Sequence, residues 1–285
     1  MFHKVLERIS QPKHSLSATL VAWAIPFALL AIYWIWYTTP PALTDPNNFR
    51  DCDECPEMTV IPPGKFLMGS PPWEEGRFRD EGPVHLVTID YPFAVSIFEI
   101  TNREWSAITG VRRGFGPDPD EPVSGVSWVE ANEFVLLLRE RTGKEYRLLS
   151  ESEWEYMARA GTTGPFHFGE ISVEKANYDG NSYMGSPTAS PIIDDYFAEG
   201  DTYPPNAFGV YNVHGNVAEI VADCYSTNYE GAPTDGSPRT WPGCDWRVLR
   251  GGYASFSPAQ IRSAKRAYYS GRLGTAGLRV ARDID

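Results

Sequence analysis

Leu16 to Tyr37 is a run of 22 residues without a charged side chain, and it divides the chain before anything else is read. A helix rises about 1.5 Å per residue, so the run covers about 33 Å, enough for the hydrocarbon core of a bilayer. Pro26 lies inside it, which membrane helices tolerate. Tyr33, Trp34, Trp36 and Tyr37 crowd its C-terminal end, where an interfacial aromatic belt belongs. Lys4, Arg8, Lys13 and His14 precede it, and the first positive charge after it is Arg50. The positive-inside rule therefore predicts a cytoplasmic tail over 1–15, one transmembrane helix over 16–37 in the inner (cytoplasmic) membrane, and a periplasmic C-terminal part. The run is longer than the core of a signal peptide and no A-x-A site follows it, so an uncleaved anchor is expected. Residues 38–54, rich in Pro, Asn and Thr at their start, read as a linker, and 55–285 as one exported domain.

With 42% hydrophobic and 13% aromatic residues, the exported part can bury a sizeable core. Its 25 Gly and 24 Pro are spread widely, which predicts many turns and short regular elements. A net charge of −12 argues against nucleic acid, whose phosphates need a basic surface. Four cysteines in an oxidising compartment suggest two disulfides. Of three possible pairings, Cys52–Cys55 would close a tight loop and Cys224–Cys244 a Gly/Pro-rich one, and these are the expected pair. Cys52 and Cys55 are not a haem site, because Pro56 stands where His is required.

Met58–Ile61 and Lys65–Met68 flank Pro62-Pro63-Gly64 and read as a hairpin. Val84 to Ile89 and Phe93 to Ile100 read as strands. Thr101 with Glu104, Ser127 with Glu130, and Ser150 with Glu153 are three capping boxes, each opening a helix. Gly110, Gly143 and Gly161 are the expected stops. Trp105, Trp128 and Trp154 are predicted to pack in the core. Thr162 to Asp245 shows little periodicity and reads as long ordered loop, held by disulfides or metal ions. Arg247 to Gly252 and Ala276 to Arg282 read as closing strands. His85, His167 and His214 form no facial triad by spacing and are expected at the surface or in turns.

Several segments, in order, resemble the formylglycine-generating enzyme (sulfatase-modifying factor) family. They are Cys55 to Ser70, Glu99-Ile-Thr-Asn102, Pro122 to Trp128, Tyr146 to Tyr156, Pro204 to Asn212, Arg250-Gly-Gly252 and Gly277-Leu-Arg-Val-Ala281. The resemblance implies an α+β, irregular C-type-lectin-like fold with short strands, about three helices and much ordered loop. It also implies structural calcium, whose hard-cation preference is for oxygen ligands. Asn212, Gly215, Val217 and Glu219 match one calcium site; Asn177 and Tyr178, with Asp195 and Phe197, match a second.

The departures from the family are equally specific. Its oxidising enzymes hold copper between two cysteine thiolates shortly after the Gly-Gly. Here Gly252 to Arg262 contains no Cys, His or Met, so no copper site and no catalytic residue are expected. The family's Trp-Glu-Trp reads Ala218-Glu219-Ile220. A basic and aromatic cluster of Tyr253, Arg262, Lys265, Arg266, Tyr268, Tyr269 and Arg272 suggests a cleft for an anionic group, with Tyr253, Arg262 and Arg266 foremost. The first functional expectation is a non-catalytic accessory or partner-binding module of a membrane or periplasmic complex. The alternative is an oxidoreductase or maturation enzyme acting on an exported protein or small molecule. A carbohydrate-binding module using Trp241, Trp246 and the Tyr-rich region 178–203 is a third.

Overall fold

The three capping boxes set three helices as the sequence predicts. In this computed structural model the described residues are 48–113, 118–184 and 197–284, within the unit Pro46–Asp285. The predicted tail, the membrane helix and most of the linker lie outside them. Among the described residues no helix is long and apolar enough to cross a membrane. Helix α1 (Asn102–Thr109) starts at Thr101, whose side chain accepts from the Glu104 amide while Glu104 returns the bond, and it stops at Gly110 in the left-handed region. Helix α2 (Trp128–Thr142) is opened by Ser127 and Glu130 and stopped by Gly143. Helix α3 (Glu151–Arg159) is opened by Ser150 and Glu153, but its left-handed cap is Ala160, one residue before the predicted Gly161. Thr101→Ala removes the acceptor at the start of α1. It is expected to lower the unfolding free energy by about 1 kcal/mol, read from the denaturant midpoint.

Helix α3 does not show one apolar face. All nine of its residues are buried, including Glu151, Glu153, Glu155 and Arg159. It therefore runs through the interior and must bring ionic partners with it.

Pro62-Pro63-Gly64 does not turn a hairpin, which corrects the sequence expectation. Strand β1 (Met58–Ile61) pairs with β4 (Phe93–Ser96), whereas β2 (Gly64–Met68) pairs with β3 (His85–Ile89). Two consecutive prolines offer no amide hydrogens and cannot form the primed two-residue turn a tight hairpin needs. Strand β5 (Tyr146–Leu148) and β10 (Val280–Asp283) complete one antiparallel sheet in the order β1-β4-β10-β5. A second sheet is ordered β8-β7-β6-β9, from β6 (Ala218–Cys224), β7 (Arg247–Arg250), β8 (Ala267–Tyr269) and β9 (Ala276–Leu278). Strand β6 falls inside the stretch expected to be loop. It is buried along nearly its whole length, so it lacks the alternation that marks a strand in sequence. The predicted strand 276–282 is two strands. β9 runs parallel to β6 in one sheet, β10 antiparallel to β4 in the other, and Arg279 is the residue between them.

One core cluster lies between α1, α2 and the sheets, where Trp105 stacks on Phe134 at 5.1 Å. Another surrounds Trp154. Trp105 and Trp154 are buried as expected; Trp128 is only partly buried. The cysteines pair as expected, Cys52–Cys55 and Cys224–Cys244. The linker is shorter than predicted. Phe49 bridges to Met58 and packs on the core, and Asp51 accepts from the Tyr146 hydroxyl at 2.7 Å.

Candidate functional site

The segment after Gly251-Gly252 turns tightly on itself. Gly252 has φ 74°, and a Cβ there would lie 2.6 Å from the Gln260 carbonyl oxygen. A short 3-10 turn, Pro258–Gln260, closes the loop. The rings of Tyr253 and Phe256 lie 3.8 Å apart. His214 ties this loop down from below. Its Nδ1 donates to the Ile261 carbonyl at 2.8 Å and its Nε2 accepts the His167 amide at 3.2 Å. Burial first, then the neighbouring His167, lowers the pKa of His214 to about 3; burial lowers that of His167 to about 4. Both rings are neutral at physiological pH. His214 is thus a buried tie, not the surface or turn residue expected from the sequence.

The two foremost cleft arginines, Arg262 and Arg266, are buried instead of lining a cleft, which corrects that expectation. Arg262 is fully buried. Its Nη1 donates to Glu74 at 2.6 Å and Glu81 at 2.9 Å, and its Nη2 donates to Glu81 at 2.5 Å. Arg266 holds Glu151 through Nε at 2.6 Å and Nη2 at 2.9 Å. Arg250 joins them, donating to Glu151 at 3.1 Å and to Glu155 at 2.6 Å. Burial pushes Glu155 up, but Arg159 and Arg250 outweigh it and hold the carboxyl below its usual range. The arginines seen as anion-binding in the sequence are the counter-charges of the acidic helix α3 and of the 74–81 loop. An arginine beside an aromatic reads as a site in sequence, yet the glutamates that neutralise Arg262 and Arg266 lie 115 to 188 residues away.

The calcium-like loop is ordered by αL turns at Asn212, Gly215 and Asn216. A Cβ on Gly215 would lie 1.9 Å from the Asn177 carbonyl oxygen, so the Asn177 loop and the Asn212 loop pack directly together. Asn177 Nδ2 donates to Asn216 Oδ1 at 3.0 Å, and the Ala198 amide reaches the same oxygen at 2.8 Å. Tyr178 is partly buried and Phe197 buried beside them; Asp195 lies outside the described residues. Asn212 Oδ1 is buried and has no hydrogen-bond partner among the described residues, as a ligand oxygen would be. Glu219 has other partners. Arg279 Nε lies 3.2 and 3.1 Å from its two oxygens, Arg279 Nη2 3.0 Å from Oε1, and Trp154 Nε1 2.7 Å from Oε2. These four distances come from three N–H groups, since the single Nε hydrogen lies between both oxygens. Among the described residues no cluster of three or more His, Cys, Asp or Glu can hold a metal ion.

A carboxylate not assigned a role from the sequence lies beside this loop. Glu99 accepts from Asn216 Nδ2 at 2.6 Å, Asn212 Nδ2 at 3.3 Å and the Val217 amide at 3.1 Å. Burial, reinforced by repulsion from Glu219, raises its pKa to about 8. Asp223 behaves alike: burial, then the charge of Glu151, raises it to about 8.

These features are those of one fold family, and comparison with known proteins identifies it. The sulfatase-modifying factor enzyme 1-like domain matches residues 44–284, and the chain belongs to that family. The formylglycine-generating enzyme of Bos taurus is 31% identical over 254 residues, covering 69% of this chain and 65% of the relative. The chain thus spans less than two thirds of that relative's length. The inactive C-alpha-formylglycine-generating enzyme 2 of Mus musculus is 27% identical, covering 77% of this chain and 80% of that one. Among solved structures, PvdO from Pseudomonas aeruginosa matches with a TM-score of 0.72 at 38% identity, covering 83% of this chain and 98% of that chain.

Proposed function

We propose that this chain is a membrane-anchored, extracytoplasmic member of its family that works as a non-catalytic accessory subunit, binding a protein of a membrane or periplasmic complex. The observation that carries this reading is the fate of the thiols. All four cysteines are spent in two disulfides, and the loop from Gly252 to Arg262, where copper would need two thiolates, has none. That a mouse relative carries the word inactive in its name supports a role for this fold apart from formylglycine formation. The anchor at 16–37 would keep the domain close to the membrane surface, where such a complex sits.

Calcium enters this reading through Asn212 and loop carbonyls only, since Glu219 is engaged by Arg279. A calcium chelator is therefore expected to lower the melting temperature; an unchanged value would show that the Asn212 loop holds no ion. The decisive experiment is affinity purification of the full-length protein from its native membranes in mild detergent, with quantitative mass spectrometry. A reproducible stoichiometric partner is the expected result. A monodisperse monomer without partner, or one equivalent of bound copper, overturns the proposal.

A further inference from the structure

Exposed apolar side chains scattered singly need no explanation, but large aromatics in contact at the surface do. Such a group stands at the β7–β8 edge of the second sheet. On β8, Tyr269 turns inward and Tyr268 outward, where it is 53% exposed. Trp246, just before β7, is 51% exposed and meets the Tyr268 ring at 5.3 Å with their planes 77° apart. Tyr225, just after β6, lies against the other side of the group, 4.3 Å from the Tyr268 ring.

The base of the group is fixed in place. Tyr225 is partly buried, its hydroxyl donates to Asp80 at 2.9 Å, and the Arg266 guanidinium lies 5.1 Å from its ring. Glu151 in turn holds Arg266. The Tyr225 amide donates to the Trp246 carbonyl at 2.8 Å. The Cys224–Cys244 disulfide ties together the two segments that carry Tyr225 and Trp246. The rings are thus held before any partner arrives, which lowers the ordering cost of binding. Two polar groups beside them are free. Asp245, next to Trp246, is exposed and has no ion-pair or hydrogen-bond partner among the described residues, and neither has the Tyr268 hydroxyl.

The ring geometry and the free carboxylate select the occupant. Trp246 and Tyr268 stand nearly at right angles, so they form a corner and not a flat platform. Successive sugar rings find no common face to stack on there. A polyproline II helix does fit a corner. It has three residues per turn, projects its proline rings as wedges, and leaves its own carbonyls unbonded. Aromatic-lined grooves take proline-rich segments in this way, and the Tyr268 hydroxyl is a donor for one such carbonyl. Asp245 offers a carboxylate to an Arg or Lys flanking the prolines, for which a neutral glycan has no counterpart. The net charge of −12 favours the approach of a basic segment. We infer that Trp246, Tyr268 and Tyr225 form a docking corner for a proline-rich segment of a partner protein, with Asp245 receiving a basic residue of that segment. This deepens the accessory-subunit reading, on which the choice of a protein occupant rests, and it uses none of the loop from Gly252 to Arg262.

The test is fluorine NMR of the full-length protein carrying 5-fluorotryptophan, in detergent, titrated with acetyl-Pro-Pro-Leu-Pro-Pro-Arg-amide. Trp246→Phe assigns the resonance. The peptide is expected to shift the Trp246 signal saturably, and acetyl-Gly-Ser-Leu-Gly-Ser-Arg-amide, of equal length and charge, to leave it in place. Tyr268→Ala trims a half-exposed side chain, so the urea midpoint should hold while the peptide weakens tenfold or more. Asp245→Asn should weaken the peptide severalfold but leave its norleucine-for-arginine analogue unaffected. A non-saturating response, equal binding of the glycine–serine peptide, or unchanged affinity in Tyr268→Ala overturns the inference. Equal losses for both peptides in Asp245→Asn overturn the basic contact. Chitotetraose acting at lower concentration than the peptide overturns the protein occupant in favour of a glycan. Purification from native membranes separates the corner from the reading beneath it. A stoichiometric partner kept by the Trp246→Ala, Tyr268→Ala double variant overturns the corner and leaves the accessory role standing. Saturable peptide binding with no partner on the wild-type protein overturns the accessory role and leaves the corner.

Discussion

Replacing Arg279 by methionine is expected to destabilise the domain by about 3–5 kcal/mol, enough to unfold a marginal protein outright. Arg279 stands where the chain passes from β9 to β10, between the two sheets. Its guanidinium is fully buried and pairs with Glu219, itself 1% exposed. It also donates to the carbonyls of Ser96, Ile97 and Tyr211, each at 2.7 Å. Methionine fills a similar volume but leaves Glu219 buried without a counter-charge, with the Glu99 carboxyl nearby. The double variant Arg279→Met with Glu219→Leu separates the causes. It removes the stranded charge, so it should recover part of the loss, while the three carbonyls still lack their donor. The measurement is the urea midpoint of each variant. A single variant within 1 kcal/mol of wild type would show that the pair contributes little; a double variant as weak as the single one would assign the loss to the carbonyls.

The helices were readable because their signals are local. Thr101/Glu104, Ser127/Glu130 and Ser150/Glu153 each span three residues, and each forms the two reciprocal bonds expected. The closer disulfide is local in the same sense, whereas strand pairing is not. Nothing near Pro62 says that β1 will lie beside β4 and β2 beside β3. In the acidic helix α3, Trp154 is buried as its sequence suggests, yet Glu151 and Glu155 are just as buried. Their partners, Arg250 and Arg266, lie about a hundred residues on. Arg266 and Arg262, read without their glutamates, suggested a cleft. The Asn212-to-Glu219 motif was legible as a loop, but the role of its last residue was not, because Arg279 is reached only through the tertiary fold.

Raising the pH from about 6.5 to 8 is expected to destabilise the domain, and Glu99 and Asp223 are the reason; below that range the buried neutral His167 and His214, which take up protons only on unfolding, act in the opposite sense. Both carboxyls have folded-state pKa values raised to about 8 from 4.5 and 3.8 respectively, chiefly by burial. Between those limits the folded chain keeps a proton on each group while the unfolded chain has lost it. The folded state then binds more protons than the unfolded one, so stability falls as pH rises, and the fall levels off once the folded groups ionise above about 8. Each proton so held costs about 1.4 kcal/mol per pH unit. The direction is opposite to that of a salt-bridged carboxylate such as Glu155, whose lowered pKa contributes stability above the unfolded value and loses it on acidification. Glu99→Gln tests the assignment, because it stays neutral at every pH. Its pH slope from 5 to 8 should be shallower than wild type by about one proton, so that the variant gains on wild type steadily across the range. Urea unfolding at pH 5, 6, 7 and 8 reads this directly. An unchanged slope in Glu99→Gln would mean that Glu99 is ionised in the folded protein at pH 5, with Arg279 neutralising both it and Glu219. The Asn212 loop would then hold an excess negative charge at neutral pH, and the argument for a cation beside Asn212 Oδ1 would become stronger.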